Sequence, residues 1–424
     1  MNIEELYSIY CNHLQIQTDS RKLSSGDLFF ALRGPNFNGN QFALQALEMG
    51  AAYAIVDENI AADNHRIIRV ENVLTTLQQL AGYHREQFTI PFIAITGSNG
   101  KTTTKELVAA VLSAHYKTYT TQGNLNNHIG IPLTLLQVQK DAQMAVIEMG
   151  ANHQHEIEGY CQYAKPTHGI ITNCGKAHLE GFGGEEGVRK GKGELFQFLS
   201  GHHGTAFAFA DYDYLHTLAK QVPQIIWYGT TSGIIRGSIE NSMPLLKVVI
   251  TGALELSVQT QLVGNYNLPN VLCAVAIGNH FGVPSEKIQS AIESYTPSNS
   301  RSQWINWGNN QVILDAYNAN PSSMKVAIEN FAQLPGSAKI LMLGAMMELG
   351  ETSVAEHQAL LNLIQQYPWA EVVLVGGDFS NLSHPYHYFT DSTQAKAWLS
   401  SKNPQKAQIL LKGSRSMKME KVIE

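Results

Sequence analysis

The sequence predicts an α/β protein built on parallel sheets, and three observations carry that reading. Apolar runs of strand length recur at 92–95, 144–148, 169–172 and 205–209 with helical patterns between them. That alternation is satisfied by a parallel sheet covered by helices on both faces. The run at 92–95 enters a glycine loop, Thr96-Gly97-Ser98-Asn99-Gly100-Lys101-Thr102-Thr103-Thr104, which opens into a helical pattern from Lys105 to Leu112. The last part of the chain repeats the alternation at 312–314, 340–343, 372–375 and 409–411, each run followed by Asp, Gly or Lys-Gly. Ligands of open α/β sheets sit at the carboxyl ends of the strands, so Asp315, Gly344, Gly376 and Lys412-Gly413 become candidate site positions.

The individual elements divide the chain into three regions, expected at 1–86, 87–297 and 298–424. In the first, 27–32 reads as a strand, 42–49 as a helix stopped by Gly50, 53–56 as a second strand, and 73–86 as a helix leading to the glycine loop. The segment from Arg33 to Asn40 is rich in turn residues and reads as a plain loop. In the second region, short strands around 227–229, 234–237 and 245–250 read as an antiparallel flap on the main sheet. The break near Tyr295-Thr296-Pro297-Ser298-Asn299 reads as a linker to the third region.

Composition narrows the function. A chain of 424 residues with 44% hydrophobic and 15% charged residues fits a well-packed protein of two to four domains. The net charge is −6 and no basic block occurs, which argues against a nucleic-acid partner. The start Met1-Asn2-Ile3-Glu4-Glu5 lacks the charge and apolar pattern of a signal peptide, and no apolar run reaches the ~18–20 residues of a membrane span. The four cysteines lack metal or redox spacing and read as free thiols of a reducing cytoplasm.

The chemistry-bearing residues differ in how much they say alone. A glycine loop before a helix presents backbone N–H groups to phosphate, so Gly97, Ser98, Asn99, Gly100, Lys101, Thr102 and Thr103 form a candidate nucleotide cradle. Lys101 would reach the terminal phosphates and the Thr102 hydroxyl a magnesium ion. The spacing is shorter than the general phosphate-loop pattern, since Ile95 stands where that pattern has its first glycine. Glu148 ends the strand 144–148 and is a candidate magnesium ligand. His178, by itself, reads as a structural histidine. Lys190, Lys192 and Glu194 read from local composition as a solvated helix start.

Taken together, these motifs resemble the Mur ligases, ATP-dependent amide-forming enzymes of peptidoglycan precursor synthesis. The resemblance rests on the glycine loop, on Gly123 to Pro132, Glu148-Met149-Gly150-Ala151-Asn152 and Ala177-His178-Leu179-Glu180-Gly181-Phe182-Gly183. It continues with Asn267-Leu268-Pro269-Asn270, Asp315-Ala316-Tyr317-Asn318-Ala319-Asn320-Pro321 and Met347-Glu348-Leu349-Gly350. It implies a three-domain architecture: a small α/β domain for the UDP end of a substrate, a central ATPase-like parallel sheet with a flap, and a Rossmann-like C-terminal domain for the amine substrate and nucleotide contacts. Lys101, Lys192 and His178 become catalytic candidates. Thr102, Glu148, His178 and Lys192 become magnesium ligands at two expected sites, with Lys192 carbamylated. Asn267, Asn270, Arg301, Asp315 and Tyr317 are implied on the ATP side, and Ser25, Asp27, Arg33, Asn36, Asn318 and Asn320 on the substrate side. Several motifs are typical of the branch that joins D-Ala-D-Ala to a UDP-N-acetylmuramoyl-tripeptide, implying a cytoplasmic bacterial monomer. Two positions depart from that branch. Ala345 stands where an aspartate is frequent. At 209–213 the sequence is Phe-Ala-Asp-Tyr-Asp; Asp211 is expected near the site but without a chemical role.

Overall fold

A computed structural model describes every residue except Leu14, Ala62, Asp63, Asn299 and Ser337. The expected break at 295–299 therefore lies partly outside the described residues. The chain forms two compact units. One comprises 1–94, 116–150 and 156–168, and the other 95–115, 151–155 and 169–424.

The first unit opens with a four-stranded parallel sheet in the order Ile16–Gln17, Leu28–Phe30, Tyr53–Val56 and Ile67–Arg69. Its core sets Phe29, Ala54 and Val56 against Ala43, Ala46 and Leu47 of the helix Ala43–Glu48; the two alanines let that short helix lie close to the strands. The helix Val73–Glu86 starts where the Asn72 side chain accepts the Thr75 N–H at 2.8 Å. It buries Val73, Leu77, Leu80, Ala81 and His84, a stripe at helical spacing, and packs against Gly130–Leu136 and Glu156–Ala164. Within this unit Met144–Glu148 pairs in parallel with Thr118–Thr120.

The Arg33–Asn40 segment is more ordered than a plain loop. Arg33–Gly34 and Phe37–Asn38 form a two-stranded hairpin. Asn38, Asn40, Asp57 and Glu58 join its base to the strand Tyr53–Val56 by side-chain hydrogen bonds of 2.8–2.9 Å.

In the second unit Thr205–Phe209 pairs in parallel with Gln224–Gly229, which pairs in parallel with Ile235–Asn241. Antiparallel pairing begins only with Lys247–Gly252 and Leu256–Gln259. This corrects the expected flap: its first strand extends the parallel sheet, and only the following three make an antiparallel meander. The apolar helix Leu268–His280, buried on nearly every side, packs against the helix Lys101–Ser113. The C-terminal sheet has the order Gln303–Trp307, Asn310–Asp315, Gln408–Lys412, Lys339–Gly344, Glu371–Val375 and His387–Phe389. All its pairs are parallel except the first. The four expected strands are present; each edge carries one further short strand, Gln303–Trp307 and His387–Phe389, that the sequence reading did not include. No helix among the described residues is long and apolar enough to cross a membrane.

Candidate active site

The glycine loop closes on itself by backbone chemistry. Gly97 has φ +142°, and a Cβ there would overlap the Thr172 hydroxyl, so only glycine lets the two segments meet. Thr172 Oγ1 donates to Asn99 O at 2.6 Å, Asn173 O accepts the Ser98 N–H at 2.8 Å, and Asn173 Oδ1 accepts the Asn99 N–H at 3.0 Å. The Ser98 hydroxyl donates to Gly175 O at 2.9 Å. Gly100, in the left-handed region at φ +78°, starts the helix Lys101–Ser113. The Lys101 ammonium donates to Gly97 O at 2.7 Å and Ser98 O at 3.2 Å, which keeps its charge over the loop. Thr102 is buried at the first turn, while Thr103 is half-buried.

Two elements distant in sequence reach this loop. The Asn270 carboxamide accepts the Thr104 hydroxyl at 3.1 Å and donates to Asn267 Oδ1 at 2.9 Å; Asn267 donates to Val263 O at 2.8 Å. A Cβ on Gly100 would stand 2.8 Å from Asn270 Oδ1. From the C-terminal region, Asn320 Nδ2 donates to Asn99 Oδ1 at 2.8 Å. Asn320 also caps the helix Pro321–Gln333 by accepting the Ser323 N–H at 2.9 Å. The neighbouring Ser322 hydroxyl accepts the Lys176 N–H at 2.9 Å.

Lys192 contradicts the solvated-helix reading. It is 1% exposed, whereas Lys190 is exposed. Its Nζ donates to Ala151 O at 2.9 Å and lies 4.8 Å from the centre of the Phe182 ring. The helix Glu185–Gly201 comes this close to Phe182 because residue 191 is glycine: a Cβ there would be 2.5 Å from the ring. The signal was present in the sequence. Val188, Lys192, Leu195 and Leu199 recur at helical spacing, and all four are buried. Glu194, also buried, accepts the His155 N–H at 2.6 Å.

His178 has a left-handed backbone at φ +51°, and its Nδ1 is 2.5 Å from Glu348 Oε2. That contact holds the Glu348 carboxyl below the ordinary carboxylate range. The sequence marked Glu348 as part of a motif without giving it a partner.

The C-terminal candidates also assemble. Arg301 lies over the Tyr317 ring, 3.5 Å from its centre. Asp315 accepts the Ser302 N–H at 3.1 Å and pairs with buried Lys412 at 2.5 Å. These two residues face each other because Asp315 and Lys412 are register partners at the carboxyl ends of neighbouring strands. Lys412 also reaches Asn318 O at 3.4 Å.

In the first unit Glu148 is buried, and its Oε1 accepts Asn126 Nδ2 at 2.8 Å. Arg33 Nε pairs with Asp57 at 3.2 Å. Asp27 accepts the Ser24 N–H at 2.8 Å and so closes a turn, while Ser25 and Asn36 are exposed. Asp211 accepts the Thr230 N–H at 3.0 Å, a turn-closing contact. Ala345 is buried, and its methyl group occupies the space that a Cβ on Gly377 would need.

The residues fit a nucleotide: glycines that leave no room for side chains, a cation over the loop, and backbone donors at a helix start. Among the described residues no three His, Cys, Asp or Glu side chains gather to hold a metal. The second unit offers the Thr102 hydroxyl, the His178 imidazole and the Lys192 amine. Magnesium prefers oxygen, and of these three groups only the Thr102 hydroxyl is an oxygen donor.

Fold and loop together define a nucleotide-binding α/β protein. Family models match along the chain: the Mur ligase family catalytic domain at residues 14–85, the Mur ligase middle domain at 95–278, and the Mur ligase glutamate ligase domain at 300–415. The UDP-N-acetylmuramoyl-tripeptide–D-alanyl-D-alanine ligase of Bacillus subtilis is 33% identical, over 96% of this chain and 92% of that protein. The crystal structure of MurF from Acinetobacter baumannii matches with a TM-score of 0.88 and 33% identity, covering 96% of this chain and 92% of that one. MurF ligase from Thermotoga maritima in complex with ADP matches with a TM-score of 0.87 and 25% identity, covering 96% of each chain. The chain belongs to the Mur ligase family and has its three-domain α/β fold.

Proposed function

We propose that this protein joins D-Ala-D-Ala to a UDP-N-acetylmuramoyl-tripeptide at the expense of ATP, giving ADP and phosphate. This is the last cytoplasmic step in building the pentapeptide precursor of peptidoglycan, carried out by a monomer. Identity to ligases named for this reaction over nearly the whole chain supports it. The single structural observation that carries it is the convergence on one glycine loop of Asn270 from one side and Asn320 from the other.

The chemistry follows from the substrates. A carboxylate resists attack by an amine because oxide is a poor leaving group. Transfer of the γ-phosphoryl group to the terminal carboxylate of the tripeptide makes an acyl phosphate and releases ADP. The dipeptide amine attacks its carbonyl carbon, loses a proton, and the tetrahedral intermediate collapses with loss of phosphate. Lys101 faces the β- and γ-phosphates and balances charge during transfer. Bound magnesium would supply charge neutralisation for the phosphoryl transfer. Two such ions are expected. Thr102, His178 and carbamylated Lys192 would hold them, and the family resemblance names Glu148 as a further ligand. A carbamate turns the buried cation at 192 into a carboxylate, which removes the cost of an ammonium beside a metal.

Asn267 and Asn270 serve the adenine side, and Arg301, Asp315 and Tyr317 the nucleotide from the C-terminal domain. Ser25, Asp27, Arg33 and Asn36 belong to the domain of residues 1–86 that takes the UDP end; Asn318 and Asn320 lie on the side of the incoming substrates. The central domain spans 87–297 and the C-terminal domain 298–424.

The test is direct. Purified protein with ATP, magnesium and UDP-N-acetylmuramoyl-tripeptide is offered D-Ala-D-Ala, D-Ala or glutamate. Phosphate release and product mass are followed together. Turnover with D-Ala-D-Ala alone is expected; turnover with glutamate instead refutes the assignment.

A further inference from the structure

We propose that Lys412 is a positioning residue for Asp315: its ammonium holds the carboxylate in the orientation that accepts the ribose hydroxyls of the nucleotide. The inference deepens the reading of Asp315 as a nucleotide contact and rests on it.

Three observations carry it. The first is the bond itself. Lys412 Nζ donates to Asp315 Oδ2 at 2.5 Å and to Asn318 O at 3.4 Å. The Lys412 side chain is 3% exposed and that of Asp315 16%. A buried ammonium is costly unless it is paired, so Lys412 stays on its acceptors and the carboxylate stays with it. The cation of the pair lies inside, and the anion is the member that reaches toward solvent.

The second observation is the capacity left on Asp315. An ionised carboxylate only accepts, through two oxygens with about four lone-pair sites. Among the described residues Asp315 receives one bond on each oxygen, from Lys412 on Oδ2 and from the Ser302 N–H on Oδ1 at 3.1 Å. The group is therefore oriented without being filled. On a nucleotide the phosphates repel a carboxylate, and Asn267 and Asn270 serve the adenine side. The donors that remain are the 2′- and 3′-hydroxyls.

The third observation is placement. Asp315 and Lys412 are register partners at the carboxyl ends of adjacent parallel strands, the edge at which such sheets take ligands. Ser302, which donates to Asp315, has a left-handed backbone at φ +46°, and its hydroxyl shares a hydrogen bond with the Tyr266 hydroxyl at 3.0 Å. The residue before it is Arg301, which lies over the Tyr317 ring. The Asp315 carboxylate thus ties the strand ends to the segment that presents Arg301, and Lys412 supplies the charge that fixes it there.

The test uses the full chain and calorimetry with ADP and 2′,3′-dideoxy-ADP. The wild type should prefer ADP by about 10- to 100-fold, the range for hydrogen bonds to a charged group. Lys412→Met, which keeps the side-chain length and removes the charge, should lose most of that preference while binding dideoxy-ADP within about two-fold of wild type. A lysine with a merely structural role would weaken both ligands alike. Asp315→Asn should remove the preference by itself, and Lys412→Met added to it should change ADP affinity by no more than about two-fold. That doubly neutral protein is the variant to read if Lys412→Met alone does not fold. Equal losses on both ligands in Lys412→Met, a preference kept there, or a further loss of ADP affinity in the double variant overturns the positioning role. A wild type without the preference, or a preference that survives Asp315→Asn, removes the ribose reading of Asp315 and this inference with it.

Discussion

Replacing Gly97 by alanine tests whether the cradle depends on the close approach of two backbone segments. The new Cβ would overlap Thr172 Oγ1 and stand 3.1 Å from both the N and O of Asn173. Thr172 must then leave Asn99 O and Thr96 O, which it reaches at 2.6 and 3.3 Å. The one hydroxyl proton is shared between these carbonyls, a bond worth about 0.5–1.5 kcal/mol. An L-residue at φ +142° adds strain of about 1–3 kcal/mol. The loop therefore shifts or the chain loses about 2–4 kcal/mol of stability. A shift of ~1 Å in a phosphate cradle costs on the order of 10²-fold in rate. The assay is ADP affinity by calorimetry, kcat/KM for phosphate release, and the urea midpoint. Gly308→Ala is the control: it too has positive φ, but no atom lies within 4 Å of the added methyl group, so only the local cost of about 1–2 kcal/mol applies. Wild-type ADP affinity and turnover in Gly97→Ala would refute the reasoning.

Other expectations follow from the same geometry. Lys101→Ala should fold normally and lose at least ~10²-fold in activity, the scale for one preorganised electrostatic contact; wild-type turnover in a folded variant would remove it from the phosphate site. Lys192→Ala should be nearly inactive and Lys190→Ala close to wild type, because only the first side chain is buried. Mass spectrometry in bicarbonate and regain of activity with small carboxylic acids examine the carbamate, and an active Lys192→Ala protein would exclude it. Burial holds His84 and His357 below the ordinary imidazole value, which is ~6.5. The unfolded chain then binds more protons than the folded one as pH falls below about 6.5, so this stability is complete above that pH and is lost as pH falls from there through the lower folded values. The urea midpoint should drop on acidification, and less steeply in His357→Asn; identical slopes would show that His357 does not contribute.

Local order was legible in the sequence. Strands, helices and the glycine loop depend on periodicity and turn chemistry within a dozen residues, so 92–96, 144–148, 205–209 and the helix 73–86 could be read directly. Pairing was not. Gln224–Gly229 has the composition of a flap strand, yet its direction is fixed by Thr205–Phe209 beside it. The hairpin at Arg33–Asn38 was likewise hidden, because its strands are two residues each and their partners lie on Asp57 and Glu58.

For the site, the sequence by itself marked the candidate residues, and tertiary structure decided which of them meet. The phosphate loop announces itself because a cradle of backbone donors needs glycines at fixed local positions. Lys190 and Lys192 are indistinguishable by composition, but two residues on a helix are turned by ~200°, and packing on Phe182 buries one and leaves the other in water. His178 and Glu348 are 170 residues apart in sequence, as are Asn99 and Asn320 by 221. No local pattern encodes such pairs, because their closeness follows from how the C-terminal sheet and its helices pack against the glycine loop and the segment around His178.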